Sequence, residues 1–341
     1  MLQTNNFNSH EKILKYTDKL NSFFHVHQTL IVTELDLTNQ CNNRCPRCIG
    51  RRYQNFALSR DEIEQISNGL KNLDNRGVIL SGGGDPLLHP DFVEAVKLLR
   101  QNGMRIGVNS NGLALTECQA LTIAEYCDYF RISLDAGTPE LYQNIHGMDP
   151  KYFEKVIRNI KMMCQIKNHT GSRLSFGTGF LTDKSTVDDM EVFVLLSKEC
   201  GVDFAQFRPF QGDSTDISES YNRIKSKYET DSFKVLASVQ KYQKFHKRNI
   251  RTYDKCRGMF FSTVITANAR IYACLHHRQD ERFLIGDLRA GDTLEKAWRS
   301  YKKWYVYETM NVAECPALCR NDNINDLLFT LDQDVVHKEF L

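Results

Sequence analysis

Thr29-Leu30-Ile31-Val32-Thr33-Glu34-Leu35-Asp36-Leu37 runs almost directly into Cys41-Asn42-Asn43-Arg44-Cys45-Pro46-Arg47-Cys48. The first stretch alternates apolar residues in the way a half-buried strand does. The second sets three thiols at i, i+4 and i+7. Soft sulfur ligands select zinc, copper(I) or an iron–sulfur cluster. A cubane cluster normally takes four cysteines. Three leave one iron without a protein ligand, and an open position is where a metal does chemistry rather than architecture. The competing reading of the spacing is a three-thiol zinc site completed by a distant histidine.

Downstream, strands and helices alternate. Strands are predicted at 29–37, 77–81, 105–109, 129–134, 173–180 and 203–207, and helices at 59–72, 90–102, 116–127, 150–167 and 187–200. The 59–72 helix opens on Ser59 with Glu62 three residues on, a capping box. The 90–102 helix stops at Asn102-Gly103, a helix C-terminal signal. A further amphipathic helix is predicted before the first strand, over 9–24. This alternation predicts an α/β fold, a parallel sheet with helices outside; pattern alone does not separate sheet from open barrel. In either, ligands gather at the carboxyl ends of the strands. The unusual motifs fall there: the cysteine loop, Gly82-Gly83-Gly84-Asp85-Pro86, Asn109-Ser110-Asn111-Gly112, Ser133-Leu134-Asp135-Ala136 and Arg208-Pro209.

The 341 residues are enough for about two domains. Apolar content of 41% and charged content of 25% are those of a globular chain. A net charge of +2 without a basic stripe argues against a nucleic-acid binder. No apolar run reaches the roughly 18 residues of a membrane span, and Met1–His10 lacks signal-peptide character, so a cytoplasmic location is expected. Of the 11 cysteines, Cys118, Cys127, Cys164 and Cys200 lie singly in helical stretches and read as small buried hydrophobes.

Four more cysteines come late. Residues 213–251 read as a linker with a lysine- and tyrosine-rich helix over 221–247, its charge a solvated face. From 252 a smaller α+β unit is expected. Residues 260–266 and 269–273 form a hairpin around Ala267-Asn268, and helices follow near 293–307 and 323–338. Cys256 and Cys274 flank the hairpin, and Cys315 and Cys319 form a close pair. Four thiols on such a unit suit a zinc ribbon or a fully cysteine-ligated [4Fe-4S] cluster. Next to them, His276, His277 and Arg278 are candidates for functional roles, the histidine pair for acid–base or metal chemistry. Arg208 could hold a substrate carboxylate, phosphate or hydroxyl in its fork.

The Cys41/Cys45/Cys48 stretch resembles the CxxxCxxC signature of the radical SAM superfamily. The resemblance implies a partial (β/α)6 barrel over 29–212, preceded by a helix over 1–28. It also implies a [4Fe-4S] cluster held by the three cysteines, with S-adenosylmethionine (SAM) on the fourth iron as source of a 5′-deoxyadenosyl radical. Gly83-Gly84-Asp85 resembles the family's GGE motif at the methionine amino group, with Asp for Glu. Asn109, Ser110 and Asn111 resemble the stretch along SAM, and Ser133 and Asp135 the strand-four motif that reaches ribose or carboxylate. Arg47 stands where many members place an aromatic near the adenine. The late cysteines resemble a twitch extension, the shortened SPASM domain, over 252–341, which implies an auxiliary [4Fe-4S] cluster on Cys256, Cys274, Cys315 and Cys319. The layout is similar to that of 2-deoxy-scyllo-inosamine-type dehydrogenases. That implies oxidation of a sugar, aminocyclitol or nucleoside-like small molecule, Arg208 and His276 as catalytic candidates, and a flavodoxin or ferredoxin as reductant. Epimerases of related layout use a thiol as hydrogen donor, a role open to Cys164 or Cys200 only at the barrel mouth. Peptide maturases carry fuller SPASM sets, and molybdopterin-precursor cyclases carry three auxiliary cysteines and end in Gly-Gly. A non-catalytic iron- or zinc-binding regulator would not need the glycine loop and the polar strand-end motifs.

Overall fold

A computed structural model of the chain describes residues 10–26, 30–48, 50, 55–213, 215–238, 241–242, 251–317 and 319–333. A short 3-10 turn and helix α1 (Thr17–Val26) precede the first strand. Then come β1 (Val32–Leu35), α2 (Arg60–Asn72), β2 (Gly77–Leu80), α3 (Phe92–Gln101), β3 (Arg105–Ser110), α4 (Glu117–Tyr126) and β4 (Tyr129–Ser133). The alternation continues with α5 (Pro139–His146), α6 (Lys151–Thr170), β5 (Ser175–Thr182), α7 (Met190–Cys200) and β6 (Phe204–Pro209). Strands β1 to β6 pair in parallel in chain order, which gives the α/β partial barrel its wall.

Local chemistry accounts for the helix ends. Ser59 and Glu62 close the capping box of α2 in both directions, and Thr116 with Gln119 does the same for α4. Helix α5 was not expected from periodicity, yet Thr138 caps it and Pro139 starts it. The wall's outer face buries Ile106, Val108, Phe130 and Ile132 under the helices. Phe130 stacks on Phe176 at 5.2 Å, and Phe180 meets Phe193 of α7 at 4.7 Å. Each such side chain contributes about 1.5–3 kcal/mol by leaving water.

Two elements differ from expectation. The helix predicted over 221–247 is helix α8 (Ser218–Tyr228) followed by a seventh strand, β7 (Lys234–Ala237); residues 243–250 lie outside the described residues. β7 pairs in parallel with β6 and buries Val235. The free edge of β6 offers backbone partners that outweigh the local helical preference. The second difference is in the C-terminal unit. Its strands β8 (Ser262–Ile265), β9 (Arg270–Tyr272) and β10 (Leu284–Asp287) continue the barrel sheet. β8 lies parallel to β1, with Glu34 opposite Val264, and β9 and β10 follow antiparallel. The unit ends in α9 (Leu294–Trp298), α10 (Tyr301–Thr309) and α11 (Asp322–Asp332). Residues 334–338 of the expected last helix lie outside the described residues. Among the described residues, no helix is long and apolar enough to cross a membrane.

Candidate active site

The carboxyl ends of β1 to β6 bring the sequence motifs together. The glycine loop lies on the backbone of the cysteine loop: Asp85 N–H donates to the Gln40 carbonyl at 2.8 Å. A Cβ on Gly84 would stand 2.0 Å from that carbonyl oxygen, so only glycine allows the approach. The Asp85 carboxylate is spent inside the protein. It accepts Leu87 N–H at 3.0 Å, Ser110 Oγ at 2.8 Å and Asn111 N–H at 2.7 Å. Burial raises its pKa, against those three donors. Asp85 and Ser110 thus knit the ends of β2 and β3 and place Asn111. The Asn111 amide donates to Asn42 at 2.7 Å and lies 3.7 Å from Cys41 Sγ.

Cys41 and Cys48 are exposed, and Cys45 is half-buried. Burial pushes the Cys41 thiol up to about 11 and the Cys45 thiol up to about 12, and Cys48 adds to both rises. Cys41 and Cys45, whose thiols resist ionising, need a positive charge beside them to bind as thiolates. A metal cluster supplies one, and the donor set fits it in kind. Among the described residues, no three Cys, His, Asp or Glu side chains already stand in a metal-ligating arrangement.

Two side chains hold this loop, Arg47 from within the motif and His146 from outside it. His146, at the end of α5, donates from Nε2 to the Leu134 carbonyl at 2.9 Å. Its Nδ1 is therefore the acceptor, 3.1 Å from Asn43 Nδ2 and 3.4 Å from Cys45 Sγ. Arg47 pairs with buried Asp183 beyond β5 and lies 3.4 Å over the ring of Phe210 beyond β6. The residue in the aromatic's place thus brings an aromatic from another strand end. Asp135 has φ of 52° and accepts Leu181 N–H at 2.7 Å, and Ser133 lies two residues before it at the end of β4.

Inside the barrel the inward positions are polar. Glu34 shares a register layer with Ile79, Gly107 and Tyr129; Asn109 and Arg131 lie one layer on. Arg131 donates to Gln206 at 2.8 Å. Burial lowers its pKa to about 9, and Arg208 beside it adds to the fall. The C-terminal unit reaches in from the other side. Arg278 forks onto Asp36 at 2.9 and 3.0 Å and also pairs with Glu34, which Arg320 approaches at 3.4 Å. Burial works against the Glu34 carboxylate, but Arg278 and Arg320 outweigh it and hold its pKa low. Asp36 goes the other way, raised to about 7 by burial with Glu34 beside it. His276 is pushed down to about 4 by burial, with Arg320 and Lys241 adding, so the ring is neutral near pH 7. That makes it a weak proton acceptor.

The four late cysteines lie within electrostatic reach of one another, short of a metal-ligating arrangement. Cys256 feels Cys274 and Cys315, and Cys319 feels Cys256 and Cys274. Burial raises all four pKa values, with Cys256 at about 12 and Cys315 at about 11. Asn325 of α11 donates to Cys256 Sγ at 3.3 Å. Arg251 holds the Cys315–Cys319 loop by the carbonyls of Val312 at 2.7 Å and Pro316 at 2.8 Å. His277 Nε2 lies 3.8 Å from Cys315 Sγ and its ring stacks on Phe283. Of the single cysteines, Cys127, Cys164 and Cys200 are buried as expected, but Cys118 is exposed on α4. Cys164 feels Cys200 and Asp203, which precedes β6. Both thiols thus lie at the amino end of the barrel, away from the mouth where a hydrogen donor is needed.

Glu34, Asp36, Tyr129, Arg131, Gln206 and Arg320 were not singled out by motif. The available signal was a charged residue at an inward position of a strand, as at Glu34 and Arg131.

Residues 35–193 match the family model of the Radical SAM superfamily, so the chain carries a radical SAM domain. The family implies SAM and a SAM-binding [4Fe-4S] cluster. Among curated proteins, a probable GTP 3′,8-cyclase of Saccharolobus islandicus is 30% identical over 171 residues, 49% of this chain and 53% of the relative. The chain therefore spans about half the length of the curated relatives it matches. The fold is that of Streptococcus suis SuiB, solved with its precursor peptide SuiA: TM-score 0.66, 14% identity, 91% of this chain and 75% of that one. It is also that of anSMEcpe with bound AdoMet: TM-score 0.60, 16% identity, 85% of this chain and 88% of that one.

Proposed function

We propose that Cys41, Cys45 and Cys48 hold the SAM-binding [4Fe-4S] cluster and that Cys256, Cys274, Cys315 and Cys319 hold an auxiliary one. The reaction is the dehydrogenation of a small sugar, aminocyclitol or nucleoside-like molecule. When bound, the first cluster and SAM supply a 5′-deoxyadenosyl radical, which takes one hydrogen atom from a substrate carbon. Oxidation of an alcohol to a ketone then needs one proton and one electron to leave, and a cluster held by Cys256, Cys274, Cys315 and Cys319 would supply an acceptor for the electron. Potentials of such clusters span about −700 to +450 mV with environment, which gives room for a match. A flavodoxin or ferredoxin is the proposed reductant.

The observation that carries this reading is that the four late thiols lie near enough to feel one another's charge, in a unit joined to the barrel through Arg278 and Arg320. The protein's own part is placement. Gly83, Gly84, Asn109, Asn111, Ser133 and Asp135 line the strand ends where SAM is to lie, while Asp85 and Ser110 keep Asn111 beside Cys41. His146 and Arg47 fix the cysteine loop from below and from the side. Arg208 faces the substrate side of the mouth. His276, neutral among cations, orients more readily than it accepts a proton.

The test is anaerobic reconstitution of the parent and of the Cys41/Cys45/Cys48→Ala triple variant. About eight irons should fall to about four, with SAM cleavage under dithionite lost. Four irons in the parent and none in the variant would leave the late cysteines to zinc or to structure and end the electron-acceptor reading.

A further inference from the structure

The barrel mouth carries more positive charge than the chain neutralises. Arg131 of β4 and Arg208 of β6 converge over Gly179 of β5. A Cβ placed there would lie 3.3 Å from Arg131 Cδ and 3.5 Å from both Arg131 Nε and Arg208 Nη2, so the two side chains pass over the same backbone position. Lys241, beyond β7, feels Arg208, Arg131 and Arg320. The anions nearby are already engaged. Glu34 and Asp36 are held by Arg278, Glu34 also by Arg320, and Asp135 accepts a backbone amide. Arg131 donates to the neutral Gln206 amide and, among the described residues, forms no ion pair; Asp135 and Glu34 reach it only through space. Among the described residues, neither Arg208 nor Lys241 has an ion-pair partner. The Nε atoms of Arg131, Arg208 and Arg320 are buried without a hydrogen-bond acceptor.

Like charges gathered at low dielectric repel strongly, and buried donors without acceptors cost stability. An arrangement that bears both costs is suited to a ligand that relieves both. Planar guanidinium forks match the oxygens of carboxylate and phosphate. The methionine end of SAM is placed elsewhere by the reading above, at the β1–β3 ends beside Cys41. The cation cluster stands on β4, β6 and beyond β7, and on its far side Lys241 feels Cys319.

We propose that the substrate carries an anionic group, a carboxylate or a phosphate, seated between Arg131 and Arg208 with Lys241 completing the site. This rests on the radical SAM dehydrogenase reading and narrows its substrate class. It would place the substrate's oxidisable carbon between the two sets of cysteines.

The probes are inorganic phosphate and malonate, titrated calorimetrically into the reconstituted full-length protein. One of them should bind saturably, and R208Q should weaken it about tenfold or more, the worth of a charge-assisted hydrogen bond. R208K should recover part of the affinity, and K241Q should weaken it independently. Iron content and circular dichroism check that each variant is folded. No saturable binding of either anion, or equal binding by the parent, R208Q and K241Q, would overturn the proposal. So would a loss of SAM affinity by the same factor in R208Q together with competition between SAM and the anion, which would assign the cations to SAM's carboxylate. SAM cleavage by the parent protein is read separately. Cleavage without anion binding sinks the subsite alone; anion binding without cleavage sinks the radical reading and leaves the anion site standing.

Discussion

At the scale of single residues, the site depends on contacts too close for substitution. Gly84 is the sharpest case, because any Cβ there meets the Gln40 carbonyl at 2.0 Å. Gly84→Ala must push the glycine loop off the cysteine loop, at about 1–3 kcal/mol for an overpacked contact. The expected result is a lower urea midpoint together with weakened SAM binding by calorimetry. An unchanged midpoint with normal SAM binding would mean that the two loops move freely past each other. The glycines and cysteines could be read from sequence because their chemistry is local and their spacing carries it. His146 could not, since it reaches Cys45 from a helix 101 residues away. Nor could the partner of Arg278, which crosses 242 residues to Asp36. Motif reading finds residues that act in a run, whereas partners drawn in by the fold become visible only once strands are ordered. Asp85 teaches a third lesson: its position was legible as a motif, but its carboxylate serves Ser110, Asn111 and Leu87.

At the scale of elements, the barrel strands and most helices followed from periodicity and caps, because amphipathic pattern and turn chemistry act within a few residues. The failure at 221–247 has the opposite cause. β7 exists because β6 has an open edge, and no feature of Lys234–Ala237 alone announces that. The charge on α8, expected as a solvated face, is partly spent on α7. Glu191 accepts Lys227 at 2.8 Å, Arg223 at 2.5 Å and the Tyr228 hydroxyl at 2.9 Å. Those bonds, Lys227 first, hold its pKa at about 2 against an ordinary 4.5. A carboxylate whose pKa is depressed by folding stabilises above its unfolded value and loses that contribution as pH falls through its folded one. Glu191→Gln should therefore lower the urea midpoint at pH 6. The gap between variant and parent should narrow below pH 4.5 and close near pH 2. A gap that stayed constant with pH would assign the loss to packing instead of charge.

At the scale of the whole molecule, the decisive fact is that the sheet does not stop where the barrel does. β8 inserts its full length beside β1, and the C-terminal unit then sends Arg278 into the barrel to neutralise Glu34 and Asp36. Removing one partner from a buried ion pair costs about 3–5 kcal/mol. The barrel thus gives up several such contacts if the unit opens, and the unit loses its parallel neighbour. Two bodies coupled that tightly should unfold as one. The chain offers a direct check, because its two tryptophans, Trp298 and Trp304, both belong to the C-terminal unit. Trp298 is buried, and Trp304 lies 5.1 Å from Phe260. Tryptophan emission therefore reports that unit, while far-ultraviolet dichroism is dominated by the barrel's helices. Heated or titrated with urea, the reconstituted protein should give coincident transitions by the two probes. Treatment with an iron chelator should lower both midpoints together, since any metal held by the four late thiols stabilises the single cooperative body that β1 and β8 define. An emission change that preceded the dichroism change would show that the unit opens alone, and the barrel would then have to keep Glu34 and Asp36 buried without Arg278.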